Sequence, residues 1–458
     1  MSSDTRSAGH YPFRTTPNYR MKTKNNIDSL EWVDEFISRV KPYIFVRTED
    51  NLLIKRPNNA QKLNSVGAQI LKLLLDGATI KQVLLKIKDS PEKIDDISDF
   101  MFAVRQSLEG NLDEFSLNPA VEITPFEMKF SDYPVLSELA LTYRCNLKCE
   151  FCYAGCNCTT NPAKYGKEMS ATEVERIIER IFNDAKVPSI SFTGGEPTLD
   201  KNLSRYISFA KKLGMRINLI TNGTLISNDY AKELADNGLD SAQVSLEGIT
   251  SITHDKIVNS KGAFEKSLLG VDNLKSAGIL THTNTTITKT NLDECFQFPE
   301  FVHEKLGIDR FSMNLIIPTG SAAINDKLTV RYSEIGKHLK KIIIESKKYN
   351  VNFMWYSPVP MCLFNSIPHG LGNKGCSACD GLISIAPNGD VLPCASYDES
   401  VGNLLKQNFK IIWQSINAIK FRTKSLAHDL CKNCGDFHIC NGACPLYWRK
   451  IGFKELDI

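Results

Sequence analysis

The stretch Ser137–Ala154, SELALTYRCNLKCEFCYA, decides how this chain is read. An apolar run of strand character, SELALTY, opens directly onto three thiols, Cys145, Cys149 and Cys152, spaced Cys-x3-Cys-x2-Cys. A four-iron cluster takes one thiolate per iron, four in all. Three close thiolates followed by the aromatic Tyr153 would leave one iron open to a small molecule, much as a catalytic metal keeps a vacant position. The same thiols could instead form a structural zinc knuckle. The surrounding sequence has to separate the two.

Working outward, residues 137–348 alternate strand and helix patterns six times. The strands read SELALTY, SISFTGG, RINLITNG, SAQVSLEG, LTHTNTTIT and FSMNLIIP. Helical stretches between them imply a parallel sheet with crossover helices. In the first helix Ser170 and Glu173 make a capping box, and Val174, Ile177, Ile178, Ile181 and Phe182 recur at helical spacing. Six units of this α/β pattern are too few to close an eight-fold barrel. In such folds chemistry sits at the C-terminal ends of strands. There the sequence places the cysteine loop, then Gly194-Gly195-Glu196-Pro197, Thr221-Asn222-Gly223, Ser245-Leu246-Glu247-Gly248, and Asn284 with Thr286. Glycine allows close backbone approach to a ligand, and proline fixes the exit turn.

The cysteine loop followed by this GGEP resembles the radical S-adenosylmethionine (SAM) enzymes. The resemblance implies a partial (β/α)6 barrel at 135–348 and a [4Fe-4S] cluster on Cys145, Cys149 and Cys152 whose open iron chelates SAM. It further implies that Gly194, Gly195, Glu196 and Pro197 hold the methionyl amino group through backbone carbonyls and the glutamate. Tyr153 would lie against adenine, Ser245 and Glu247 near the ribose or carboxylate, Asn222 near the substrate, and Asn284 or Thr286 by the ribose. Relatives often place an arginine after the fourth strand, but none stands between Glu247 and Gly262; Lys256 or Lys261 would substitute as point charges without the bidentate fork. Cys156 and Cys158 read as surface thiols, and Cys295 and His282 as structural.

A second cysteine group follows. Cys362, Cys376 and Cys379 precede GLISIAPNGDVLPC, which ends at Cys394, and Cys431-x2-Cys434-x5-Cys440-x3-Cys444 comes after a helical linker. This resembles the SPASM domain, placed at 349–458, which carries one or two auxiliary iron–sulfur clusters; zinc is the alternative occupant for such spacings. The resemblance implies Cys376, Cys394, Cys444 and either Cys362 or Cys379 on the nearer cluster, and Cys431, Cys434 and Cys440 on the farther one. Relatives commonly carry glycine at 379. Their further cysteine is absent between Pro445 and Ile458. The farther cluster is therefore expected to be incomplete, to use Asp436 or Asp457, or to be missing.

Toward the N-terminus, residues 1–38 are polar and expected to be a flexible extension, apart from a short helix around Trp32–Val40. A module at 39–115 follows, with a hairpin at Tyr43–Val46 and Leu52–Ile54 about the turn Glu49-Asp50-Asn51. Three helices come next: one with Val66, Ile70, Leu71 and Leu74 on a face, one opened by a Thr79–Gln82 capping box, and one carrying Ile97, Phe100, Met101 and Val104. Two strands and three helices suggest a winged-helix-like fold, and LNSVGAQILKLLLDGATIKQVLLKI resembles the precursor-peptide recognition elements fused to ribosomal-peptide maturases. Residues 116–134 form a linker.

Charge is nearly balanced, with 55 basic against 52 acidic residues, which gives no footprint for nucleic acid or an anionic membrane. No run of about 18 apolar residues exists to span a membrane. The N-terminal residues lack the apolar core of a secretory signal. Fourteen cysteines then argue for metal or redox chemistry in a reducing, cytoplasmic setting, not for disulfides. Together the resemblances imply an enzyme that uses a 5′-deoxyadenosyl radical to install a thioether or C–C crosslink in a ribosomal precursor peptide bound by its leader, with flavodoxin or ferredoxin as reductant. The sequence does not identify the catalytic base. The rival expectations are a haem-precursor or sulfatase-type substrate, or a zinc-stabilised peptide-binding scaffold without catalysis.

Overall fold

Two large hydrophobic cores organise the computed structural model, which describes residues 30–57, 59–87, 91–109, 131–155 and 167–457. They belong to two compact units, residues 1–125 and 126–458. The extension before residue 30, most of the expected linker, and Cys156 and Cys158 lie outside the described residues.

The first unit runs α1 (Trp32–Val40), β1 (Ile44–Arg47), β2 (Leu52–Lys55), β3 (Asn59–Lys62), α2 (Ser65–Leu75), α3 (Ile80–Ile87) and α4 (Pro91–Glu109). β1 and β2 form the expected hairpin, with Val46 opposite Leu53. Its turn is fixed by a buried Arg47–Asp50 ion pair at 2.7 Å. Asn64 caps α2 by accepting the Gly67 N–H at 2.8 Å, and Thr79 N–H donates to Gln82 Oε1 at 2.9 Å to open α3. Three features differ from expectation. β3 adds antiparallel to β2, so the sheet has three strands; Asn-Ala-Gln-Lys carries no apolar alternation to announce it. Leu30, Val33, Phe36 and Val40 are core residues of this unit, and Asp34 accepts the Ile80 N–H at 2.7 Å, so the module begins before residue 39. Val66 is 57% exposed and lies off the buried face.

The second unit opens with β4 (Leu136–Thr142), α5 (Ala171–Asn183), β5 (Ser189–Gly194), α6 (Leu203–Lys212), β6 (Arg216–Thr221), α7 (Asn228–Asp236), β7 (Ser241–Ser245), α8 (Ser251–Ile257) and α9 (Ala263–Ser276). It continues with β8 (Leu280–Ile287), α10 (Phe298–Glu304), β9 (Arg310–Leu315), α11 (Tyr332–Lys348) and β10 (Asn352–Trp355). β11 (Leu382–Ile385), β12 (Asp390–Leu392) and β13 (Gly402–Asn403) follow, then α12 (Phe409–Trp413), α13 (Ile416–Arg422), α14 (Asp429–Lys432), α15 (Phe437–Cys440) and α16 (Pro445–Ile451).

All these strands join one sheet, ordered β10-β9-β8-β7-β6-β5-β4-β11-β12-β13. Pairing is parallel from β10 through β11 and antiparallel beyond it. Six strands were expected; β10 is a seventh parallel strand, and β11 of the cysteine-rich segment continues the sheet on β4. The boundary at 348 therefore falls inside the sheet.

Alternation sets the two faces. Leu139, Ile190, Phe192, Ile217, Leu219, Ala242, Val244, Phe311 and Met313 share one buried core with Val174, Ile177, Ile178 and Ile181 of α5. Each fully buried aliphatic side chain there contributes roughly 1.5–3 kcal/mol. The intervening residues are polar. Ser241 Oγ donates to Asn218 Oδ1 at 2.9 Å, Ser312 Oγ to Asn284 Oδ1 at 2.9 Å, and Asn284 Nδ2 to Asn314 Oδ1 at 2.8 Å. The face away from the helices is thus a hydrogen-bonded polar lining, suited to a ligand more than to a packed core.

Candidate active site and thiol clusters

The cysteine loop leaves β4 where β5 ends, and glycine makes that contact possible. Gly194 has φ +132°, and a Cβ there would stand 2.2 Å from Thr142 O; one on Gly195 would stand 2.3 Å from Arg144 O. In their absence Gly195 N–H donates to Thr142 O at 2.8 Å and Glu196 N–H to Arg144 O at 2.9 Å. A loop after β9 closes the other side, with Ser321 N–H donating to Cys152 O at 2.8 Å. Pro197 is buried at the first position of the exit turn.

Glu196 stands at the exit of β5. Its side chain is wholly buried and accepts from Thr198 N–H and Oγ1, Thr221 Oγ1 and Asn222 N–H at 2.6–3.1 Å. It braces the β5 exit to the β6 exit. Burial raises its carboxyl above the usual range against those hydrogen bonds. Asn222 Nδ2 donates to Asn146 Oδ1 at 2.9 Å, and Asn146 Nδ2 to Thr224 Oγ1 at 2.8 Å. Asn146 lies within the cysteine spacing, yet that spacing gave it no role.

At the next strand ends, Glu247 is buried and accepts the Thr286 N–H at 2.7 Å; burial pushes its carboxyl up to about 8. Its charge is felt by Cys149, so it faces the cysteine loop. Ser245 is half-buried and pairs in register with Asn284. Lys256 and Lys261 are exposed. Cys295 is buried with its thiol on Asn291 O at 3.2 Å, and His282 Nε2 meets Gln243 Oε1 at 3.3 Å. Sequence reasoning missed Glu138. It lines a cavity with Tyr143, Tyr153, Thr193, Ser384 and Leu392, accepts from Ser384 Oγ at 3.2 Å, and is raised by burial.

The remaining described thiols fall into two groups. Cys376, Cys394 and Cys444 influence one another electrostatically, with burial as the larger cause raising Cys394 and taking Cys444 to about 12. Cys379 is fully buried, with φ +47°, beside Cys376 and Arg422. The second group is Cys431, Cys434, Cys440 and Cys362. Cys362, one of the two options for the nearer set, thus stands with this second group. Asn441, Gly442 and Ala443, at φ +61°, +70° and +66°, wind left-handed between Cys440 and Cys444 and send those thiols to different groups.

These donors fit iron–sulfur clusters better than single ions. Among the described residues no three Cys, His, Asp or Glu stand close enough to share one ion. Tetrahedral zinc, with bonds of about 2.3 Å, draws its sulfurs together, whereas a cluster spreads them over separate irons. Backbone N–H groups point at the sulfurs: Leu147 N–H at Cys145 Sγ, 3.4 Å, and Met361 N–H at Cys440 Sγ, 3.3 Å. Burial raises Cys145 to about 11 and also pushes Cys149 well up. A coordinated cation inverts that balance and deprotonates the thiols.

Residues 139–298 match the Radical SAM superfamily, and residues 376–435 match SPASM, an iron-sulfur cluster-binding domain. The chain is 30% identical over 359 residues to Fe-coproporphyrin III synthase of Methanosarcina barkeri, covering 69% of this chain and 88% of that protein. It is 26% identical over 321 residues to PqqA peptide cyclase of Rhizobium meliloti, covering 68% and 82%. Streptococcus suis SuiB, solved with its precursor peptide SuiA, shares the fold with TM-score 0.65 at 19% identity, over 90% of this chain and 96% of that one. A [4Fe-4S] cluster that binds SAM comes with the first domain, and auxiliary iron–sulfur clusters with the second. The chain belongs to the radical SAM superfamily, and its barrel is followed by a SPASM domain.

Proposed function

We propose that this enzyme modifies a ribosomally made precursor peptide, held by its leader on the N-terminal unit, and installs a thioether or carbon–carbon crosslink. The observation that carries this reading is the separate N-terminal unit, with its own core and a three-stranded antiparallel sheet whose edges β1 and β3, among the described residues, each pair only with β2. β3 is half-buried to exposed, and an extended peptide adds to such an edge through main-chain hydrogen bonds. The fold likeness to SuiB, solved bound to its precursor peptide, extends over 90% of this chain and so reaches beyond the two matched domains.

In this reading the bound cluster and SAM supply a 5′-deoxyadenosyl radical, given an electron from flavodoxin or ferredoxin. The protein holds and orients. Cys145, Cys149 and Cys152 would carry the cluster, the Gly194 and Gly195 carbonyls the methionyl amino group, and Tyr153 the adenine. Ser245, Glu247, Asn222 and Asn284 would face SAM and substrate. The polar lining of the sheet positions the C–H bond to be attacked and limits water, which is the protein's share in cofactor chemistry.

A second reading, a tetrapyrrole substrate, is favoured by the 30% identity to Fe-coproporphyrin III synthase. Co-expression with candidate precursor peptides, followed by mass spectrometry, tests the first. A peptide lighter by two hydrogens with a mapped crosslink, absent when Cys145, Cys149 and Cys152 are alanine, is expected. Unmodified peptides together with formation of iron–coproporphyrin III from a tetrapyrrole precursor would support the second.

A further inference from the structure

The fourth ligand of the outer thiol group is not where the family resemblance looks for it. Cys431 lies in α14 and Cys434 just beyond its end, and Cys440 ends α15. Facing them is a strap, residues 361–375, that leaves β10 through the turn at Pro360, where Leu363 N–H and Phe364 N–H both donate to Pro360 O at 2.9 Å. The strap is tied to α15 at two points. Met361 N–H donates to Cys440 Sγ at 3.3 Å, and Asn373 Nδ2 donates to Ile439 O at 3.0 Å. Between the two ties the strap is anchored to the barrel: Phe364 is buried, stacks on His369 at 5.2 Å, and packs where a Cβ on Gly336 of α11 would stand 2.9 Å from its ring. Cys362 is the residue after the N–H that addresses Cys440, and its thiol feels the charges of Cys440 and Cys434.

We infer that Cys362 is the fourth thiolate of the outer iron–sulfur cluster, joining Cys431, Cys434 and Cys440. The inference rests on the family assignment and not on the identity of the substrate. Four thiolates match four irons, so the outer site is complete within residues 362–440. No carboxylate from Asp436 or Asp457, and no residue after Cys444, is then required. It also means that the exit of the last barrel strand is bonded directly to the farther cluster.

The test uses the full-length, anaerobically reconstituted protein. Iodoacetamide labelling with peptide mapping should leave Cys362, exposed as it is by position, as protected as Cys431, Cys434 and Cys440; all four should label together once the clusters are removed by chelation. In Cys362→Ser, iron content should fall by about four per chain, or one cluster should convert to a three-iron form by electron paramagnetic resonance. The same cluster signal should be lost in Cys440→Ser, while the signal lost in Cys394→Ser persists. Labelling of Cys362 in the iron-loaded protein would overturn the assignment, even if the serine variant fails to fold. So would a Cys362→Ser variant with unchanged iron and spectra, or one that loses the same signal as Cys394→Ser.

Discussion

His254 is buried on α8 with its Nδ1 accepting the Glu247 N–H at 3.0 Å, while its Nε2 finds no hydrogen-bond partner. Burial, slightly opposed by Asp255, pushes its pKa down to about 4. Between pH 6.5 and 4 the unfolded chain therefore takes up a proton that the native imidazole refuses. Stability supplied by the neutral ring is full above pH 6.5 and is lost as pH falls toward 4. From pH 7 to pH 5.5 this amounts to about 1 kcal/mol. In His254→Asn, whose side-chain oxygen can accept the same N–H, that portion of the acid-side loss should vanish; urea unfolding at the two pH values checks it, and an unchanged difference would refute the account. No pattern in the sequence pointed to His254. Glu196 shows the same limit from the other side: its motif was legible, but its role depends on four donors that converge only after β5 and β6 are adjacent.

Helix α9 seats the β6 exit, and the contact is made by two glycines. Gly223 has φ +74°, and a Cβ on Gly270 would stand 2.2 Å from Gly223 O, a backbone atom that cannot rotate away. One turn earlier Ser267 Oγ donates to Asn222 O at 2.7 Å. Gly270→Ala should therefore displace the turn that carries Asn222 and its tie to Asn146 in the cysteine loop, costing roughly 1–3 kcal/mol by overpacking. Thermal unfolding measures the cost, and iron retention at the three-cysteine loop should fall with it; full stability with full iron content would show that the helix can yield. Elements of this kind were legible where pattern and burial coincide. The six strands of the barrel, α5 with its Ser170–Glu173 box, and α3 with its Thr79–Gln82 box all carry their signals locally. β3 and β10 do not, because each is only four residues long and β3 has no alternation in burial. The parallel pairing of β11 with β4, 246 residues away at Ser384 and Glu138, leaves no mark in either segment. The grouping of thiols was hidden for the same reason. Spacing tells which cysteines are near along the chain, and the strap that returns Cys362 to Cys440 is a property of the folded sheet and helices.

At the scale of the whole molecule, the two units have separate cores, and this makes their functions separable by experiment. A chain beginning at Phe126 keeps the ten-stranded sheet, its helices and all three described thiol groups. It should fold, take up iron and cleave SAM with added reductant within about twofold of the full chain, since the apolar burial that stabilises it is its own. What it should lose is capture of the leader. Tethering a peptide beside the barrel raises its effective concentration to the millimolar range for a short linker. The truncated enzyme should then show at least a tenfold lower kcat/KM for the precursor at low peptide concentration, with little change at saturation. A leader peptide titrated against residues 1–125 and against the truncated enzyme locates the binding directly. Equal leader affinity with and without the N-terminal unit would remove that unit from peptide recognition and leave the barrel and SPASM domain to choose the substrate alone. A truncated enzyme that binds no iron would instead show that the two cores are coupled, and that the separation visible in their packing does not extend to folding.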